Sequence, residues 1–135
     1  MRKLFSTKYS AGAFNTAMLL LRIGAGLMMM NHGYQKLVNF SQMKGQFINF
    51  LGMGTTTSLC LVIFAEFFCS ILIILGLFTR MATVPIIITM SVVLWKVTQG
   101  DFFGKGELAA VFLVVFFTIL LVGPGKASVD GMIGK

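Results

Sequence analysis

The sequence predicts an all-α fold: an antiparallel four-helix transmembrane bundle with an interfacial segment between the first and second helices. Three observations predict it. The 135 residues are 57% apolar and only 11% charged, with a mean hydropathy of +0.92, whereas soluble domains carry about 25% charged residues. The apolar residues gather in four runs, at about residues 15–33, 58–78, 81–97 and 107–123. Glycine collects largely between those runs. So little charge cannot cover a surface in water, and lipid is the solvent to assume. A backbone in lipid must satisfy its own N–H and C=O groups, which makes each run a helix. A β-barrel would need alternating apolar and polar residues, and these runs are continuously apolar. The length suits a single membrane domain over residues 1–135.

The first run begins near Asn15, carries Arg22 inside it and ends at His32 and Gly33. MRKLF followed by MLLLR faintly resembles a secretory leader. Arg22 interrupts the apolar stretch, however, and no small-residue cleavage site follows in register, so it reads as a retained first span. In residues 34–53, Leu37, Phe40, Met43, Phe47 and Phe50 or Leu51 recur every three to four positions, with Lys36, Gln42 and Lys44 between them. That pattern suits an amphipathic segment at the membrane interface; an ordered loop with apolar anchors would show the same residues.

The second run, SLCLVIFAEFFCSILIILGLF, holds Glu66 at its middle. Thr79 and Arg80 leave a tight link to MATVPIIITMSVVLWKV, which implies a helical hairpin. Pro85 falls near the start of that third run, where a missing N–H costs least. Gly100, Gly104 and Gly106 punctuate the link to ELAAVFLVVFFTILLVG, and Gly123, Pro124 and Gly125 end it. Cys60 and Cys69, nine residues apart on one helix, face opposite sides about 13 Å apart along the axis. They cannot bond to each other there and read as small apolar side chains.

Four spans put both termini on one side. Arg2, Lys3, Lys8, Arg80, Lys126 and Lys135 fall on that side, against Lys36, Lys44, Lys96 and Lys105 on the other. The bias favours cytoplasmic termini in a cell (inner) membrane. The net charge of +7 is dispersed, with no basic stripe interleaved with aromatics, which argues against a nucleic-acid groove. Membrane lipids are the natural partners of such flanking cations. No phosphate loop, nucleophile elbow or catalytic triad occurs. A single histidine excludes haem ligation by a histidine pair within the chain, and no carboxylate or cysteine stands at metal spacing from it. The ten methionines read as flexible packing residues.

Two ionisable residues lie deep in their runs. Arg22 and Glu66 each cost about 2.5–3.5 kcal/mol at a helix centre on insertion scales. With the helix midpoints aligned, both fall within a few ångströms of the midplane, so a buried Arg22–Glu66 ion pair is expected. Asn15, Gly26, Met29, Gly33 and Lys36 share the Arg22 stripe. Such a pair acts either as a staple fixing helix register or as a proton or ligand relay. At the other ends of the helices stand His32, Lys36, Lys96 and Glu107, with Gln99 and Asp101 nearby. They read either as unrelated snorkelling side chains or as a polar mouth for an amphipathic ligand such as a quinone.

Three stretches resemble the DoxX family: LLLRIGAGLMMMNHGYQKL (19–37), with its inner arginine and H-G-x-x-K ending; AEFFCSILIILGLFTRMAT (65–83), with its glutamate and Gly-x-x-Thr-Arg link; and GELAAVFLVVFFTILLVGPGKASVD (106–130), with its GPG-x-x-S-x-D ending. Ala127 stands where the family pattern suggests an aromatic residue. The resemblance implies a four-helix inner-membrane protein tied to quinone-dependent oxidoreductase systems. Thiosulfate is a substrate associated with DoxD relatives, and some members associate with redox-stress partners. Carried over by position, it singles out Arg22, His32, Lys36, Glu66, Arg80 (the helix link) and Glu107. The expected role is a non-catalytic subunit or accessory of a quinone-linked redox system. Quinone is the candidate cofactor, and a redox protein or a second copy of the chain the candidate partner. The rivals are a non-enzymatic transporter, lipid-handling protein or scaffold, and a proton-conducting element built on Arg22 and Glu66.

Overall fold

The computed structural model describes residues 2–47, 49 and 52–133, and no strand occurs among them. Four long helices dominate. The first, α1, spans Ala11–Val38. The second, α2, spans Thr55–Leu75, and the third, α3, spans Thr79–Val97. The fourth, α4, spans Glu107–Val122. The first three are long and apolar enough to cross a membrane, and α4 is a shorter apolar helix. Short helical turns lie at Arg2–Phe5, Phe40–Met43 and Val129–Ile133.

The spans fall near their predicted positions, with informative shifts. The Ser10 hydroxyl caps α1 by accepting the Ala13 N–H at 3.0 Å, which places the helix start four residues before Asn15. At its other end α1 runs past Gly33 to Val38 and absorbs the start of the expected interfacial segment. Beyond it Phe40, Met43 and Phe47 are half-buried, whereas Leu37 and Lys44 are exposed; Phe50 and Leu51 lie outside the described residues. The hairpin turn is made by Gly76, Leu77 and Phe78. Thr79 and Arg80 already belong to α3, which corrects the expected link. Gly76 adopts φ +75°, Leu77 N–H donates to Leu72 O at 2.9 Å and Gly76 N–H to Ile73 O at 3.0 Å. This paired closure is a Schellman motif, which glycine enters without steric cost. With α3 starting at Thr79, Pro85 sits inside the helix and leaves the Met81 carbonyl without its helical donor.

The helices form a ring: α1 packs on α2, α2 on α3, α3 on α4, and α4 closes on α1. The inward face of α1 is Met18, Arg22, Ala25, Gly26, Met29 and Gly33, matching the stripe expected from Arg22. Ile73, Ile86, Leu94 and Phe116 fill the centre. Leu20, Val114 and Leu121 point outward, as a lipid-facing surface requires. Cys60 is exposed and Cys69 buried, on opposite faces of α2.

Gly33 sets the register between α1 and α2. A Cβ there would lie 2.7 Å from the Phe67 backbone nitrogen, so the two backbones touch at the level of Glu66 and Phe67. Lower down, Gly26 meets Ile74 and the Ser70 carbonyl, and Arg22 reaches Gly76. Eleven residues separate Arg22 from Gly33, about 16 Å along the helix. The midpoints of the two helices are therefore offset, and Arg22 and Glu66 lie at different depths.

Candidate functional site

That offset breaks the expected Arg22–Glu66 pair. Glu66 is engaged by Lys36 instead, with Lys36 Nζ 2.6 Å from Glu66 Oε2. The contact is an ion pair whose angles fall outside hydrogen-bond geometry. The Glu66 side chain is only 4% exposed and that of Lys36 21%. Lys36 is three residues beyond Gly33 on the same stripe of α1. Where glycine brings the backbones together, its long stem reaches back along the helix to the carboxylate. Local backbone geometry also presents Glu66. The segment Phe64–Phe68 is π-helical, a single wide turn of the kind common at functional sites. The Ser70 hydroxyl donates to the Glu66 carbonyl at 2.7 Å.

The pair lines a cavity of about 200 Å³ together with His32, Met29, Lys105 and Phe112. His32 is half-buried and sits edge-on to Phe112, with ring centroids 5.7 Å apart. Of the residues expected to ring a mouth, His32 and Lys36 line the cavity. Lys96 and Glu107 do not: both are exposed. The last turn of α3, Val93–Val97, is a second π-helical segment. It turns Leu94 into the core and Val93 to the cavity, leaving Trp95 and Lys96 outside. At the start of α4, Gly106 is buried while Glu107 faces out. Glu66 and Lys105 take the two places. Asp101 organises the loop that carries Lys105 by accepting the Lys105 N–H at 3.1 Å.

Arg22 belongs to the opposite end of the bundle. Its Nη1 donates to Pro124 O at 3.0 Å and to Ala127 O at 3.1 Å, and its Nη2 donates to Ala127 O at 3.0 Å. The side chain is 1% exposed, and Nε has no hydrogen-bond partner. Helix α4 ends at Gly123-Pro124-Gly125, and the backbone beyond it is irregular, so its carbonyls are free to accept. Asp130 lies within electrostatic reach of Arg22. Its carboxylate accepts the N–H groups of Phe78 and Thr79, both at 2.9 Å, and so caps the start of α3. Its own N–H donates to Gly76 O at 2.8 Å. Arg80 Nη2 donates to Val122 O at 3.3 Å, and Lys126 N–H donates to Asn15 Oδ1 at 3.1 Å. The C-terminal segment is thus tied to α1, to the α2–α3 hairpin and to the end of α4.

Sequence reasoning missed the carbonyls of Pro124 and Ala127, the cap by Asp130 and the place of Lys105. The GPG sequence carried the first signal, because a broken helix end exposes carbonyls that a buried guanidinium can use. Among the described residues no cluster of three metal-binding side chains occurs.

Comparison with known proteins agrees with this architecture. The uncharacterized membrane protein Rv3486 of Mycobacterium tuberculosis is 28% identical over 136 residues, covering 88% of this chain and 82% of that protein. No solved structure matches the chain. The DoxX family model matches residues 17–99, a stretch that holds Arg22, Gly33, Lys36, Glu66 and the α2–α3 hairpin, and the chain is a membrane protein that belongs to the DoxX family.

Proposed function

We propose that the protein is a membrane subunit or accessory of a redox system that seats the polar head of a quinone in the cavity between Lys36, Glu66 and His32. The observation that carries this reading is a buried ion pair exposed to an empty space rather than sealed by packing. An ion pair serving only to staple two helices gains from close packing, whereas this one borders a cavity of about 200 Å³. Drug-sized ligands fill pockets of about 300–1,000 Å³, so this volume suits a single ring, with the isoprenoid tail in the lipid. Lys36 and Lys105 supply donors for ring carbonyls, His32 a third polar contact, and Phe112 a face for the ring. The protein's residues bind and orient; any electron transfer belongs to the quinone and a partner. In this reading both termini lie in the cytoplasm of the inner membrane.

The test is mass spectrometry of small molecules retained by the full chain after extraction in mild detergent. The expected result is co-purified quinone from the wild type and its loss in His32→Ala, which leaves the Lys36–Glu66 pair in place. Quinone absent from the wild type across several mild detergents overturns the reading.

A further inference from the structure

A second, larger cleft, of about 930 Å³, opens at the end of the bundle that carries the termini. It lies among the residues before α1, the α2–α3 hairpin and the segment after α4, and its volume falls within the range of ligand pockets. It is distinct from the quinone cavity and shares no lining residue with it.

Its lining has two chemistries. Phe14, Met81 and Val122 make an apolar wall, and Arg80 and Lys126 supply two cations. Both cations are exposed. The carboxylate in the cleft, Asp130, accepts the N–H groups of Phe78 and Thr79, and its single charge is outnumbered by the two cations. Thr79 also lines the cleft, and its buried hydroxyl has no hydrogen-bond partner. The cleft sits where the spanning helices end, at the level where lipid headgroups meet water.

We propose that this cleft holds the headgroup of an anionic phospholipid, its phosphate between Arg80 and Lys126 and its glycerol and upper acyl chains against Phe14, Met81 and Val122. Guanidinium and ammonium groups recognise phosphate by charge-assisted hydrogen bonds. The adjoining apolar wall commits the site to a lipid, because a free phosphate has nothing to place against it. Occupancy bridges the α2–α3 hairpin, through Arg80, and the segment after α4, through Lys126.

The experiment is native mass spectrometry of the full chain released from nanodiscs of equimolar phosphatidylglycerol and phosphatidylcholine. The wild type is expected to retain phosphatidylglycerol in preference. Arg80→Gln with Lys126→Gln should lower that preference by about fivefold for each cation removed. Lys44→Gln with Lys96→Gln removes the same charge elsewhere and should leave it unchanged. Arg80 also bonds Val122, so Lys126→Glu serves as a second variant: the hydrogen bonds of Lys126 are made by its backbone N–H and carbonyl, which the substitution keeps, and the fold should survive. Added inorganic phosphate should not displace the lipid. Equal retention of the two lipids, equal loss in the control pair, an unchanged preference in Lys126→Glu, or displacement by phosphate overturns the proposal.

Discussion

Arg22 and Glu66 are both almost fully buried, on neighbouring helices of a lipid-facing bundle, yet the protein accommodates them in opposite ways. Arg22 gives three hydrogen bonds to backbone carbonyls at a place where a helix has been broken to expose them, in close contact with Gly76. Glu66 meets a single flexible side chain at the edge of a cavity. A charge inside the membrane is therefore not in itself a functional mark. Several bonds to fixed backbone make a structural joint. A carboxylate paired with a mobile lysine beside open space keeps the capacity to meet something else.

Substitutions at five positions test this contrast. Arg22→Met carries the largest expected effect, because it strands two carbonyls and removes three charge-assisted bonds. A loss of about 3–5 kcal/mol is expected in detergent unfolding followed by circular dichroism, together with new protease sensitivity after Val122. Next, Lys36→Met should cost about 3 kcal/mol by leaving the carboxylate alone, and the double variant Lys36→Met, Glu66→Met should recover to within about 1 kcal/mol of wild type. The same cycle run on Arg22 and Glu66 should show coupling below about 0.5 kcal/mol. Strong coupling there would restore the pairing that depth arithmetic alone suggests. Gly33→Ala should cost about 1–3 kcal/mol, since a methyl group collides with the backbone at Phe67 and pushes α1 off Glu66; quinone retention should fall with it. The smallest effect belongs to Gly24→Ala. Nothing lies within 4 Å of a Cβ at that position, and a gain of about 0.5–1 kcal/mol from helix propensity alone is expected on the same unfolding assay.

Most of the fold was legible because a continuous apolar run has one solution in lipid. The four apolar helices, the inward stripe of α1 and the opposite faces of Cys60 and Cys69 follow from hydrophobicity and a 100° step. The pairing of charges did not follow, because it depends on how far one helix slides against its neighbour. The midpoint of a run is a poor guide to that slide, and close contact at a small residue is a better one. Gly33 and Lys36, both on the Arg22 stripe, held the information; what they lacked was a partner to contact. His32, at the end of the apolar run, lines the cavity. Lys96 faces out because π-helical winding at the end of α3 rotates side chains away from the 100° step, and Glu107 faces out at the start of α4, where Gly106 is the buried residue. Asp130 was out of reach for another reason: its cap is built across more than fifty residues of sequence, and no local pattern announces it.

The bonds from Arg22 span 102 and 105 residues of sequence. During synthesis α1 leaves the ribosome long before Pro124 and Ala127 exist, by about 5–20 s at ordinary elongation rates. Over that interval the guanidinium has no permanent acceptor, and water or lipid phosphate must serve in their place. Helix α1 therefore gains its bonded partners only after the segment beyond α4 has been made, which makes that segment the latch of the bundle.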